Sequence, residues 1–178
     1  RSQGMDTSHF CWSPRSELMG RLLYEIGRTP RRDTAWYQRM YSAASRLGAG
    51  MVDWPVALSN CRLLHASGIT FGLSTHSGYS CNYCLEALLE ALAAKSSGCL
   101  FGLDFNYRST LWTAAQAVQV MTPLLTEHVD VLITSIEDMA HLYGLGAGRY
   151  TATDLMRGDF GQIEDEHLLR FMKEVLER

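Results

Sequence analysis

Cys99-Leu100-Phe101-Gly102-Leu103-Asp104 is an apolar run closed by a carboxylate, and Phe105-Asn106-Tyr107-Arg108 follows it directly. A short apolar run between turn signals predicts a buried strand. The sequence upstream, Ser80 to Lys95, carries Leu85, Leu88, Leu89 and Leu92 at i, i+3, i+4 and i+7, the spacing of one helix face, and Gly98 closes it. Downstream, Trp112 to Glu127 reads as a helix disturbed by Pro123. Val129 to Ile133 reads as a second buried strand ending in Thr134-Ser135, and Ile136 to Tyr143 as a helix stopped near Gly144. Arg62 to Ala66 is a further short strand before this series. Strands alternating with helices over short connections predict an α/β class domain, a parallel sheet flanked by helices. Such sheets gather ligands beyond the carboxyl ends of their strands. The decisive stretches are therefore Ser67-Gly68, Asp104 to Arg108, and Thr134 to Asp138.

The first third differs in kind. Met19 to Ile26 is short and apolar, Ala35 to Met40 is aromatic-rich, and Gly27-Arg28-Thr29-Pro30 between them reads as a turn. Two extended segments joined by a connector are expected there. Ser42 to Leu47 suits a short helix, and Asp53-Trp54-Pro55 the start of another, with proline in its first turn. At the other end, Glu164 to Leu176 reads as a final amphipathic helix. There are no internal repeats and no low-complexity tract.

The chain has 178 residues, 47% of them hydrophobic, enough for one sizeable domain. A net charge of −3 argues against a nucleic-acid partner, which draws on a basic excess. Residues 1 to 40 hold seven arginines against four acids, and residues 127 to 178 hold eleven acids against five bases. The basic end suits an anionic ligand or a solvated surface equally well. No stretch approaches the roughly 18 to 20 apolar residues of a membrane span, and no secretory signal is visible. Five cysteines without tight spacing argue against a secreted disulfide framework and for a reducing, cytoplasmic setting.

Asp104 to Arg108 sets a carboxylate, an amide and a guanidinium at the ligand edge of the predicted sheet. Arginine binds carboxylates and phosphates through two parallel hydrogen bonds. The plain structural alternative is a capped loop with a surface arginine. Cys81-Asn82-Tyr83-Cys84 has the spacing of a zinc knuckle or a redox dithiol, but a structural zinc needs two more ligands and no second knuckle exists. Two semi-buried helix cysteines are the simpler reading. None of the six scattered histidines is assigned to catalysis.

Asp104-Phe-Asn-Tyr-Arg108, followed by Leu111-Trp112, resembles the Asp-x-Asn-x-Arg and Leu-Trp run of the PfkB (ribokinase) family of carbohydrate kinases, and within it kinases of 2-keto-3-deoxygluconate. Further matches occur in the same order. Tyr37-Gln38-Arg39 resembles the family's Tyr-x-Arg, and Ser42-Ala43-Ala44-Ser45-Arg46-Leu47 its Ser-Ala-x-Ser run. Asp53-Trp54, His65 to Thr70, and Val129 to Ile133 before Glu137-Asp138 also fit. The similarity runs from Met5 onward, and several separated motifs in order are more specific than any single one.

The resemblance implies a ribokinase-like fold with a small β lid over residues 18 to 40. Tyr37 and Arg39 match lid positions that contact the keto-acid substrate, and Arg108 matches the arginine that holds its carboxylate. Asn106 matches a position on the phosphate and nucleotide side. Ser135 and Asp138 fall where the family often has asparagine and an acid, near Mg²⁺ and the phosphates. Three departures stand out: Leu22 replaces an expected lid tyrosine, Ser135 an expected asparagine, and Thr110 a frequent lysine. The family's glycine-rich N-terminal segment is expected before residue 1, and its Gly-Ala-Gly-Asp motif, with the anion hole and catalytic aspartate, beyond Arg178. Gly48-Ala49-Gly50 is followed by Met51 and Gly146-Ala147-Gly148 by Arg149, so neither supplies that carboxylate. Neither is a Walker loop, for want of the Lys-Ser or Lys-Thr.

The chain is thus expected to be the central part of one kinase domain, using ATP and Mg²⁺, with a sugar acid as partner substrate and a homodimer formed through the lid. No nucleic acid or membrane is expected. The alternatives are another PfkB-family sugar kinase, for fructose or 5-dehydro-2-deoxygluconate, and a non-catalytic binding or dimerisation module.

Overall fold

The computed structural model describes residues 4, 6–13, 17–145 and 172–177. Of the expected final helix, residues 172–176 are helical, and the rest lies outside the described residues. The chain forms two compact units, residues 1–62 with 70–99, and residues 63–69 with 100–178.

The first unit opens with a hairpin of β1 (Arg21–Glu25) and β2 (Thr34–Gln38), paired antiparallel in a register that sets Leu22 opposite Tyr37 and Leu23 opposite Trp36. Its connector is closed by one carboxylate: Tyr24 OH and the Gly27 N–H donate to the two oxygens of Asp33, at 2.5 and 2.7 Å. Those two bonds hold the Asp33 carboxyl below its ordinary range, the tyrosine contributing most. Leu22, Leu23, Trp36 and Tyr37 all remain exposed, so apolar side chains line both faces of the ribbon. At its base Leu18 bridges Ser42, and the Ala43 N–H donates to the Leu18 carbonyl at 2.8 Å. A 3₁₀ turn (Ala43–Arg46) and a short helix α1 (Trp54–Ala57) follow. Asp53 caps α1 by accepting from the Val56 N–H, with Pro55 in the first turn. Helix α3 (Tyr83–Ala94) starts at the Asn82 cap and buries Cys84, Ala87, Leu88, Ala91 and Leu92. Of the four periodic leucines Leu88 and Leu92 are buried, Leu85 is half-buried and Leu89 exposed, so the buried face is turned toward Cys84 and the alanines.

The second unit holds a parallel sheet of β3 (Leu63–Ser67), β4 (Leu100–Asp104) and β5 (Val131–Ile133), in the order β3-β4-β5. Parallel pairing is what the alternating pattern predicts. Phe101 and Leu103 point to one face of the central strand and are fully buried. The register places Leu63, Leu100, Val131 and Ile133 on the opposite face, where each is 42 to 53% exposed. Helix α4 (Ala114–Glu127) begins with a capping box between Thr113 and Gln116 and continues through Pro123. The proline that was expected to disturb this helix is accommodated inside it. Helix α5 (Ile136–Tyr143) ends on left-handed Gly144 and touches α4 through a 3.1 Å hydroxyl contact between Thr122 and Tyr143. One element was not anticipated: α2 (Gly68–His76), which starts directly at the end of β3 and runs from the second unit into the first.

Candidate functional site

β4 and β5 end side by side, and the segments just beyond them form one polar cluster of the second unit. Asp104 closes β4. Its Oδ2 accepts from Ser67 Oγ at 3.4 Å, and Asn106 Nδ2 donates to the same hydroxyl at 3.5 Å. Asn106 stands in the left-handed region at φ 43°, a conformation that asparagine tolerates better than most residues. That turn reverses the loop after Phe105, whose N–H donates to the Ile133 carbonyl at 2.8 Å and whose ring is fully buried edge-on to Tyr143. Gly68 closes the other side. A Cβ there would collide with the Phe105 carbonyl, so the start of α2 packs backbone to backbone against the loop.

Tyr107 is gripped at three points. Its N–H donates to Asp138 Oδ2 at 3.1 Å, its hydroxyl donates to the Trp112 carbonyl at 3.2 Å, and its ring lies 5.6 Å from that of His141. Arg108 is exposed and its Nη1 donates to the Tyr107 carbonyl at 2.7 Å. Ser135 caps α5, its Oγ accepting from the Asp138 N–H at 3.1 Å. Burial pushes the Asp138 carboxyl above its ordinary range, outweighing the Tyr107 N–H and the Arg108 charge that favour ionisation; Glu137 and Asp104 push the same way as burial.

Of the six residues singled out in the sequence, the structure thus gathers Asn106, Arg108, Ser135 and Asp138 at one edge of the three-stranded sheet. Tyr37 and Arg39 belong to the hairpin of the first unit, where the Arg39 guanidinium lies 3.9 Å from the centre of the Tyr37 ring. Ser67, placed at the ligand edge by the sequence but given no role there, joins Asp104 to Asn106, and the bond from Tyr107 to Asp138 is new. The latter spans 31 residues and leaves no local pattern. Cys81 and Cys84 form no metal cluster among the described residues. Cys84 is buried and its thiol is pushed up to about 11, chiefly by desolvation, which makes it a poor nucleophile.

No protein-family model matches the sequence. A 2-dehydro-3-deoxygluconokinase from Thermoproteus tenax is 29% identical over 146 residues, 82% of this chain and 42% of the relative. The crystal structure of a 2-dehydro-3-deoxygluconokinase from Thermotoga maritima is 30% identical, with a TM-score of 0.69, over 89% of this chain and 42% of that one. A PfkB family carbohydrate kinase from Listeria grayi is 27% identical, with a TM-score of 0.62, over 82% of this chain and 43% of that one. The chain therefore spans less than half the length of these relatives. The resemblance to PfkB-family carbohydrate kinases holds along most of its described length, and the α/β fold with a parallel sheet and a small antiparallel hairpin is ribokinase-like.

Proposed function

We propose that this chain is the central part of a PfkB-family carbohydrate kinase that transfers the γ-phosphoryl group of ATP to a hydroxyl of a sugar acid, 2-keto-3-deoxygluconate being the first candidate. The observation that carries this reading is the cluster at the carboxyl ends of β4 and β5, with a guanidinium, an amide and a carboxylate within one loop and one helix start. Arg108 would hold the substrate carboxylate, with Tyr37 and Arg39 contributing from the hairpin of residues 18–40. Asn106, Ser135 and Asp138 would lie on the nucleotide side. An oxygen-rich set of this kind suits Mg²⁺, which takes few protein carboxylates and keeps its contacts with water and phosphates. Phosphoryl transfer needs positioning, charge neutralisation and a base. Mg²⁺ when bound supplies neutralisation, and the base would come from outside residues 1–178. A site that consumes ATP fits a cytoplasmic protein.

Two features support the central-part reading. The chain spans about 42% of the length of its relatives. Parallel sheets are normally covered on both faces, yet Leu63, Leu100, Val131 and Ile133 line an exposed one. Homodimerisation through the hairpin fits its exposed Leu22, Leu23, Trp36 and Tyr37. Sedimentation of the full-length protein at micromolar concentration tests it, a monodisperse monomer counting against it. The test of function is ATP-dependent phosphorylation by the full-length protein of 2-keto-3-deoxygluconate, 5-dehydro-2-deoxygluconate and fructose. A preference for the first supports the reading, and no turnover of any sugar would favour a non-catalytic module. The 178-residue chain alone is expected to show no transfer.

A further inference from the structure

We propose that Asp138 is a positioning residue for Arg108, acting through the Tyr107 backbone, so that helix α5 sets the aim of the sugar-acid clamp. This rests on the kinase reading for the role of Arg108 and deepens it.

Arg108 is exposed and its guanidinium folds back onto its neighbour's carbonyl, so its place depends on the loop beneath it. That loop is anchored on both sides of Asn106. Ahead of Asn106 it is fixed by the Phe105 N–H to Ile133 and by the Asp104–Ser67–Asn106 hydroxyl relay, whose contacts of 3.4 and 3.5 Å are long. Beyond the left-handed turn at Asn106, the Arg108 carbonyl accepts from the Leu111 N–H at 2.9 Å and the Tyr107 hydroxyl reaches the Trp112 carbonyl, while the peptide between Asn106 and Arg108 is tied to helix α5 by the Tyr107 N–H on Asp138 Oδ2. Asp138 is itself fixed. Its own N–H is tied to the Ser135 cap, and His141, three residues on, lies against the Tyr107 ring. Helix α5 therefore holds Tyr107 by backbone and by ring, between the two loop residues proposed to meet ligand, Asn106 and Arg108. A charged acceptor on a backbone N–H makes a stronger bond than a neutral one. Asparagine at 138 keeps an acceptor oxygen, whereas alanine leaves the N–H without one.

Two measurements on Asp138→Asn and Asp138→Ala test this. The first is amide hydrogen exchange in the 178-residue chain. Exchange at Tyr107 is expected to rise about tenfold or more in the alanine variant, the loss expected for a hydrogen bond to a charged group, and much less in the asparagine variant. Unchanged protection at Tyr107 in Asp138→Ala, with the chain folded by circular dichroism, would overturn the proposal. If the alanine variant does not fold, His141→Ala, which leaves the backbone bond in place, is expected to loosen Tyr107 by a smaller factor; no change there would count against it. The second is the KM for 2-keto-3-deoxygluconate in the full-length protein. It is expected to rise about tenfold in Asp138→Ala and to be largely restored in Asp138→Asn, whatever either does to kcat. Equal effects of both variants on the ATP or Mg²⁺ dependence, with the sugar-acid KM unmoved, would mean that Asp138 serves the nucleotide side only and would overturn the proposal. Absence of sugar-acid turnover in the unmodified protein would sink the kinase reading, while the exchange result would still decide whether Asp138 holds the loop.

Discussion

The Phe105 carbonyl oxygen occupies the space that a Cβ on Gly68 would need. Phe105 is fully buried and tied to Ile133 by its own N–H, and Met121 closes the site from α4, so neither partner has room to retreat. The start of α2 and the turn of the Asp104–Arg108 loop are thus mutually fitted, and glycine is required by close approach rather than by an unusual φ.

Gly68→Ala is therefore expected to destabilise the protein by about 1 to 3 kcal/mol, the usual range for forcing an extra carbon into a packed site. Away from such contacts, glycine to alanine inside a helix is normally stabilising. Urea denaturation of the two forms checks the sign. A raised midpoint in the alanine variant would show that the loop can move aside, and would weaken the case for a preformed site.

The base of the hairpin supplies a second test. Tyr41 has φ 56°, an unusual conformation for a bulky residue, and its N–H donates at 3.0 Å to Ser77 Oγ. Ser77 is 2% exposed, and its hydroxyl in turn donates to the Leu73 carbonyl at 3.0 Å. Ser77→Ala is expected to cost about 1 kcal/mol, because it takes the acceptor from the part-buried Tyr41 N–H. Tyr41→Gly keeps the N–H and suits the left-handed backbone, so it is expected to lie within about 1 kcal/mol of the parent, whereas Tyr41→Val suffers the full steric penalty. Thermal melts of the three variants give the ranking, and a valine variant as stable as the glycine one would contradict it.

The cysteines respond to pH in a way that fixes their state. Cys11 is exposed, while Cys84 and Cys99 are buried. At pH 8 a maleimide is expected to label Cys11 in the native chain and to spare Cys84 and Cys99 until urea is added. Burial raises the Cys84 thiol from an ordinary value near 9 to about 11. Below that ordinary value the thiol is protonated in both states and pH has no leverage through it. Between the two values the unfolded thiol has lost its proton and the folded one has not, so stability falls as pH rises, by at most about 1.4 kcal/mol per pH unit. The urea midpoint is expected to drop more between pH 8.5 and 10.5 in the parent than in Cys84→Ala. Equal drops would place the titration elsewhere.

Most of the sheet and the polar edge beyond it were legible because strands and helices here carry different periods. Leu100 to Leu103 is apolar up to the closing Asp104 since β4 is central, and the helical spacing of the leucines marks α3, although only Leu88 and Leu92 of them lie on its buried face. Helix α2 was not legible. Gly68, Thr70, Gly72, Ser74 and Thr75 are poor helix formers, and the segment is helical because burial of Phe71 overrides propensity. Ser135 shows the opposite case. Besides the ligand-side place that the resemblance implies, it sits three residues before an acid, the spacing of a capping residue, and its side chain caps α5. The bond from Asp138 to Tyr107 left no trace in the sequence, because it exists only once β4 and β5 lie side by side.

Arg108 carries the test of substrate class. A 2-keto-3-deoxy sugar acid bears one carboxylate, and recognising it in a closed site calls for a planar two-pronged donor. Arg108 lies four residues beyond Asp104 at the carboxyl end of the central strand, where parallel sheets present their ligands. It is exposed, and its charge is close enough to favour ionised Asp138, so a cation is available at the loop. In the full-length protein Arg108→Ala is expected to weaken sugar-acid binding by about 2 to 5 kcal/mol, the usual cost of removing one partner of a charge pair that becomes buried on binding. Arg108→Lys keeps the charge but loses the fork, so it is expected to recover only part of that. Fructose has no carboxylate to lose and should be far less affected. The measurement is kcat/KM for the acid and for fructose in all three forms. Equal losses on both sugars would place Arg108 on phosphate or in a structural role, and the keto-acid reading would lose its main support.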